Sequence, residues 1–390
     1  MTTSFRLIVT GGGSGGHTYP ALTAVRTLRA RLAAQSRALE VVWIGTSNGI
    51  ESRVAPADNI PYATVATGKI RRSANVLKML SPANLRDMAR VPLGVAQARR
   101  IVAGFRPDVV LATGGYVAVP AGLAARMCGR PLVLHEQTVR LGLANRKLAG
   151  SATRIAVSSE STIPLLPEAT RGNAVVTGNP IRPELLTGIP DRAIHALRLP
   201  GFDRRLPTVY VTGGSLGARQ VNHVVRDLLP WLLVRANVIH QCGRDMYDEL
   251  RQQIPPMHPE LVGRYHLTGF IGPELPDVLA LADVVISRSG AGTLAELTAL
   301  GKPAVFIPLA TSAGNEQAHN ARHLYEAGAA MALLGEVSPE TLRQAVEPLL
   351  TDPARRAAVA AQARAHGKPD AADRLVDVIL SVAPAPLVPG

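Results

Sequence analysis

The segment Val9-Thr10-Gly11-Gly12-Gly13-Ser14-Gly15-Gly16-His17 has a counterpart in the second half of the chain, Val211-Thr212-Gly213-Gly214-Ser215-Leu216-Gly217-Ala218-Arg219. Each follows a short apolar run and leads into a longer amphipathic stretch. A strand that passes through glycines into a helix lets the backbone approach a ligand closely. The helix then aims its unpaired N–H groups and positive dipole end at the same point. Two such turns, each opening its own half, predict two Rossmann-like, doubly wound parallel-sheet α/β domains facing a cleft.

The rest of the chain fits that reading. Arg6–Thr10, Glu40–Ile44, Val109–Ala112, Pro131–His135 and Arg154–Val157 read as strands, with helical stretches such as Pro20–Ala34 and Val95–Gly104 between them. A second set follows at Thr208–Thr212, Asn237–His240, His266–Thr268, Asp283–Ser287 and Ala304–Pro308. The break between the sets holds Asn179-Pro180, Arg182-Pro183, Ile189-Pro190 and Leu199-Pro200. It marks residues 1–177 as one domain, 178–206 as a Pro-rich linker and entry to the second, and 207–365 as that second domain. Residues 366–390 read as a C-terminal helix packing back on the first domain, with a frayed tail.

With 390 residues, 47% of them hydrophobic and 18% charged, the chain has apolar material for two cores, which excludes a disordered class. The net charge of +13 favours anionic partners, or reflects solvated surface arginines. Two cysteines without a CxxC spacing fit a reduced, cytosolic chain. No signal peptide is visible, and the longest uncharged stretch, between Asp108 and Arg126, is too short and too broken by Gly and Pro to span a bilayer. Scarce aromatics and the lack of any RNA or DNA module argue against nucleic acid.

Gly11-x-Gly13-x-x-Gly16 formally matches a dinucleotide fingerprint, yet the second strand ends Trp43-Ile44-Gly45-Thr46 with no acid for a ribose, so NAD is not expected. A third glycine turn, Thr113-Gly114-Gly115-Tyr116, also follows a strand. His17, just past the first turn, is a candidate base for a hydroxyl proton. His135-Glu136-Gln137, at another strand end, offers groups to bind hydroxyls or to orient that base. In the second half, Arg288-Ser289-Gly290-Ala291-Gly292-Thr293 and then Glu296 form a further strand–turn–helix unit, with Glu296 placed for a ribose diol and Gln317 for sugar hydroxyls. His319 and His323 have helical metal-ligand spacing without the metalloprotease Glu and read as surface. No Asp-x-Asp motif is present, so no metal is expected, and leaving-group charge falls to helix dipoles, backbone N–H groups and Arg.

Taken in order, GGGSGGH at 11–17, GGY at 114–116, HEQ at 135–137, GNPIR at 178–182, GGSLGAR at 213–219, RSGAGTLAE at 288–296 and NEQAHNA at 315–321 resemble the MurG family of N-acetylglucosaminyltransferases over nearly the whole chain. The resemblance implies a GT-B fold. It also implies inverting transfer from UDP-N-acetylglucosamine (UDP-GlcNAc) to the 4-hydroxyl of undecaprenyl-diphospho-N-acetylmuramoyl-pentapeptide in peptidoglycan synthesis, and so a part in cell shape and division. In the second domain, Ser215, Leu216 and Gly217 would meet the diphosphate, with Arg288, Ser289, Gly290 and Thr293 on the adjacent turn. Arg182 would be a linker contact, while Ile271 would touch uracil, Glu296 ribose and Gln317 the sugar. In the first, acceptor- and membrane-facing domain, Ser14, Gly15 and Gly16 would reach the donor or the acceptor diphosphate. His17 would be the base candidate, with Tyr116, Glu136 and Asn145 nearby, and Glu136 remains an alternative base. Thr138 stands where the family usually has Asn and lacks the amide's paired donor and acceptor. Ser14 replaces the usual Thr.

The basic, partly apolar stretch from Lys69 to Arg100 suits docking on the anionic inner leaflet of the cell membrane, as a peripheral protein on its cytoplasmic face beside other cell-wall synthesis proteins. Two rival readings keep the donor site and drop the acceptor: a UDP-GlcNAc 2-epimerase, and a non-catalytic nucleotide-sugar sensor.

Overall fold

The computed structural model describes residues 4–68 and 82–384. The chain divides into two compact units, one formed by residues up to Pro180 together with those from Asp370 onward, the other by Ile181–Pro369.

The first unit is built on a parallel sheet of β1 (Phe5–Thr10), β2 (Leu39–Gly45), β3 (Tyr62–Thr64), β4 (Val109–Ala112), β5 (Leu132–Glu136), β6 (Arg154–Val157) and β7 (Ala174–Val176), in the order 3-2-1-4-5-6-7. Its central strands carry unbroken apolar runs, Leu7–Val9, Val109–Ala112, Leu132–Leu134 and Ile155–Val157, because both faces are covered. Leu7, Val9, Val109 and Leu111 face one core with helices Gly15–Ala34 and Ala371–Ser381. Ile8, Val110 and Ala112 face the other, with helices Pro82–Phe105 and Ala118–Met127.

The C-terminal helix contributes Leu375, Val376, Val378 and Ile379 to the first of these cores. Arg31 also pairs with Asp373 at 2.6 Å and with Asp377, but both acids are largely exposed. Exposed pairs of this kind contribute ~0–1 kcal/mol, whereas one buried Leu is worth roughly 2–5 kcal/mol, so apolar packing holds this helix.

The second unit repeats the topology with β8 (Thr208–Thr212), β9 (Asn237–Gln241), β10 (Tyr265–Thr268), β11 (Val284–Ser287), β12 (Ala304–Phe306) and β13 (Met331–Ala332), all parallel, in the order 10-9-8-11-12-13. In each sheet the strand order reverses next to the first strand, between β1 and β4 and between β8 and β11. The crevice at the carboxyl ends of such strands is where open α/β sheets bind ligands.

The stretch 178–206, read from sequence as a Pro-rich linker and entry to the second domain, carries regular structure of its own. Pro183–Thr187 forms a 3₁₀ turn and Pro190–Ala196 a helix, each with proline in its first turn, where no N–H partner is needed. Leu185, Ala193 and Leu199 are buried in a core of the second unit.

Among the described residues no helix is long and apolar enough to cross a membrane. Of the proposed docking stretch, Lys69, Ile70, Arg71, Arg72, Val76, Leu77, Lys78, Met79 and Leu80 lie outside the described residues, while Leu85, Arg86, Met88 and Arg90 fall on helix Pro82–Phe105.

Candidate active site

In the first unit the three segments singled out from sequence converge at the carboxyl ends of β1, β4 and β5. The turn after β4 packs backbone to backbone against the turn after β1. A Cβ on Gly115 would sit 2.3 Å from the Gly12 carbonyl, and Gly115 has φ +81°, so only glycine fits there. Thr113 ties the two turns by donating its hydroxyl to the His17 carbonyl at 2.8 Å. The Tyr116 ring lies beside Gly13. Ser14 caps helix Gly15–Ala34 without a side-chain hydrogen bond, and no acid occupies its first turn, so this helix N-terminus is open.

His17 is half-buried, with Nδ1 2.9 Å from the Thr113 carbonyl and 2.9 Å from Gln137 Oε1. His135 is fully buried, its Nε2 3.0 Å from the Gly178 carbonyl and its Nδ1 3.0 Å from Gln137 Nε2. Burial pushes the His135 pKa down to about 4; the Gly178 hydrogen bond opposes this and the neighbouring His17 adds to it.

Glu136 is 2% exposed and its carboxylate is fully engaged. Oε1 accepts from the Thr138 amide at 3.1 Å and lies 2.8 Å from the Thr138 hydroxyl, which is also 2.5 Å from the Arg140 carbonyl. Oε2 accepts from the Gly142 amide and from Asn145 Nδ2, each at 2.9 Å. With three N–H donors on its two oxygens, Glu136 clamps the segment from Thr138 to Asn145. Asn145 also donates to the His135 carbonyl at 3.1 Å, and its Oδ1 is buried without a partner.

The sequence reading missed Glu51, wholly buried beneath the first glycine turn. Its carboxylate accepts from the Gly13 amide at 3.0 Å, the Thr46 amide at 3.2 Å and the Thr46 hydroxyl at 2.9 Å. The absence of side chains at Gly12 and Gly49 makes room for it.

In the second unit the turn after β8 exposes Ser215 and Leu216, Leu216 to 78%. Gly217 (φ +74°) passes so close to β9 that a Cβ would sit 1.8 Å from the Cys242 carbonyl. Another residue the sequence did not flag, buried Gln241, supports the turn. Its Nε2 donates to the Gly214 carbonyl at 3.1 Å and the Thr212 hydroxyl at 3.3 Å, and its Oε1 accepts from the Ile271 amide at 2.9 Å.

Arg288, at the end of β11, brings Nη2 within 3.1 Å of where a Cβ would stand on Gly214. It is partly buried, and that burial lowers its pKa. Gly290 caps helix Ala291–Leu300, whose first turn carries Thr293 and no acid. Glu296, one turn on, pairs with Arg182 at 3.2 Å; burial raises its pKa and Arg182 opposes the rise. Ser289 donates to the Gln317 carbonyl at 2.7 Å, while Gln317 Oε1 accepts from the Leu309 amide at 3.1 Å, leaving the Gln317 amide nitrogen for other partners. The segments after β8, β9, β10, β11 and β12 are thereby drawn together.

Among the described residues no group of three or more His, Cys, Asp or Glu side chains is placed to hold a metal ion. His323 is half-buried against His366, their rings 6.1 Å apart edge to face, and His319 is also partly buried, so the pair sits less openly than the surface reading had it.

Residues 7–157 match the glycosyltransferase family 28 N-terminal domain, and 208–375 match the family's C-terminal domain. A protein of Desulforudis audaxviator named UDP-N-acetylglucosamine--N-acetylmuramyl-(pentapeptide) pyrophosphoryl-undecaprenol N-acetylglucosamine transferase is 34% identical, over 97% of this chain and 98% of its own length. One of the same name from Lachnoclostridium phytofermentans is 35% identical over 97% and 99%. The crystal structure of Acinetobacter baumannii MurG superposes with a TM-score of 0.74 at 27% identity, covering 97% of this chain and 99% of that one. The chain belongs to the MurG family of glycosyltransferase family 28. Its fold is the GT-B type of that family. A putative UDP-N-acetylglucosamine 2-epimerase of Listeria monocytogenes shares the fold alone, at 18% identity and a TM-score of 0.66. Within the MurG family frame, the expected site residues form two sets: Ser14, Gly15, Gly16, His17, Tyr116, Glu136, Thr138 and Asn145 in the first unit, and Arg182, Ser215, Leu216, Gly217, Ile271, Arg288, Ser289, Gly290, Thr293, Glu296 and Gln317 in the second.

Proposed function

We propose that this protein transfers N-acetylglucosamine, with inversion, from UDP-GlcNAc to the 4-hydroxyl of N-acetylmuramoyl-pentapeptide carried on pyrophosphoryl-undecaprenol. The observation that carries the reading is His17, held at Nδ1 by the Thr113 carbonyl and Gln137 at the open end of the first helix, beside relatives named for this reaction. Nε2 takes the proton of the attacking hydroxyl. The hydroxyl oxygen bonds to the sugar's C1, the C1–O bond to the diphosphate breaks, and the electron pair leaves with UDP. Glu136, held by three N–H donors, orders the segment from Thr138 to Asn145 instead of serving as the base. The unpartnered Oδ1 of Asn145 is an acceptor for a substrate hydroxyl.

On the donor side, the amides of Ser215 and Leu216, the open end of helix Ala291–Leu300 and the Arg288 guanidinium take the diphosphate, whose charge grows as UDP leaves. Glu296, steadied by Arg182, takes the ribose hydroxyls, the Ile271 backbone the uracil edge, and the Gln317 amide nitrogen the sugar. No cofactor or metal enters this scheme. The acceptor's lipid anchor makes the protein peripheral on the cytoplasmic face of an anionic membrane, with residues 69–100 as the docking stretch.

The test is UDP release from UDP-GlcNAc with and without a short-chain lipid-linked acceptor. Acceptor-dependent release that His17→Ala abolishes supports the reading. Release without acceptor, or formation of free N-acetylmannosamine, replaces it with the epimerase.

A further inference from the structure

We infer that Gln137 is a positioning residue that fixes which nitrogen of His17 carries the proton, and that His135 in turn fixes Gln137. The inference rests on the reading of His17 as the base.

A run of hydrogen bonds links Gly178, His135, Gln137 and His17 in the first unit, with the Thr113 carbonyl at its side. The Gly178 carbonyl only accepts, so His135 Nε2, 3.0 Å away, bears the hydrogen. His135 is neutral above about pH 4 because it is buried, so its Nδ1 is a lone pair that requires a donor. Gln137 Nε2 supplies it at 3.0 Å, and the same nitrogen lies 2.8 Å from the Thr113 carbonyl and 3.1 Å from the His135 carbonyl. Rotating the amide would set Oε1 against three acceptors, so only one orientation is tenable, and it aims Oε1 at His17. His17 Nδ1 then faces two acceptors, Gln137 Oε1 and the Thr113 carbonyl, each at 2.9 Å. It must be N–H, which leaves Nε2 unprotonated in the neutral ring, as a base requires. Turning the ring over would replace Nδ1 with a carbon and forfeit both bonds. The relay begins at Gly178, in the last residues of the first unit, and ends on His17.

Gln137→Met keeps the side chain's length and removes both polar atoms. The Thr113 carbonyl still accepts from His17, so the loss stays well short of the ~10⁴-fold drop that a reversed tautomer brings in a hydrolase triad. The expected result is a fall in kcat on the order of tenfold, an unchanged KM for UDP-GlcNAc, and an acid limb of kcat/KM moved to lower pH, because the imidazolium formed on taking the proton has lost one acceptor. The titratable groups on the turns around His17 are Tyr116, His135 and Glu136, with Glu51 beneath the preceding loop, and all are retained in the variant. Nitrogen-15 NMR of the wild type reads the tautomer directly, without reference to activity. An Nδ1–H tautomer on His17 and a shifted acid limb in Gln137→Met support the inference. An Nε2–H tautomer, or a lowered kcat with an unmoved limb, overturns it. If His17→Ala keeps full activity while NMR finds Nδ1–H, the relay stands and the base assignment falls.

Discussion

The two glycine turns share a sequence pattern and differ in what lies beneath them. Under the turn at 11–17 is a buried carboxylate, Glu51, that already holds the Gly13 amide. Under the turn at 213–219 is a neutral amide, Gln241, and beside it the Arg288 guanidinium. A carboxylate ~5 Å from an incoming phosphate charge opposes it by ~3 kcal/mol at an effective dielectric of about 20. A guanidinium at similar range favours it by as much. Repetition of the loop therefore does not repeat its surroundings: the second turn has a cation beside it, while the first has a buried carboxylate beneath it and the His17 ring at its end.

The largest effect that sharpens this contrast is His17→Ala. It should lower kcat by roughly 10²–10⁴-fold while UDP-GlcNAc affinity, measured by titration calorimetry, stays unchanged. A variant that loses donor affinity instead would break the contrast by making the first turn part of the donor site. Next, Arg288→Ala should weaken UDP binding by about 10–100-fold, the scale of a charge-assisted contact, and leave acceptor KM in place. Glu51→Gln keeps the shape beneath the first turn but halves its acceptor capacity, and should destabilise the protein by about 1–3 kcal/mol in denaturant melts, with little change in donor affinity.

A last effect, read against pH and not specific to either turn, concerns the buried histidines, His135 in the first unit and His240 in the second. Burial lowers their pKa values to about 4 and about 3. The unfolded chain binds those protons near pH 6.5, so the unfolded state takes up more protons as pH falls below that value, and native stability declines. The decline should begin near pH 6.5, at up to ~1.4 kcal/mol per pH unit for each histidine, and level off near pH 4 for His135 and pH 3 for His240. Melts of His240→Gln should show a shallower slope that extends less far into acid.

Much of this was legible in the chain itself. The central strands announce themselves because a parallel strand covered on both faces is built mainly from apolar residues, and Val109–Ala112, Arg154–Val157 and Thr208–Thr212 were read to the residue. The edge strands Tyr62–Thr64, Ala174–Val176 and Met331–Ala332 escaped, since two or three residues half-covered by neighbours leave no periodic signal. At the site, glycine turns and the motifs beside them were visible as spacing. Glu51 and Gln241 were not, because each reaches a glycine turn distant in sequence, and an acid opening a short helix looks like any solvated helix start. Glu136 was read as a possible base from its position at a strand end; only its three N–H donors reveal a clamp.

The last described helix, Ala371–Ser381, belongs to the core that Phe5, Leu7 and Val9 begin. During synthesis the first unit therefore emerges from the ribosome long before it can close. Its apolar face at Leu28 and Leu32 waits while the whole of Ile181–Pro369 is translated and folds. The second unit is continuous and can complete itself first, so the order of folding runs against the order of synthesis. A chain cut short before Ala371 should retain a competent second unit and leave the first exposed to chaperones and proteases.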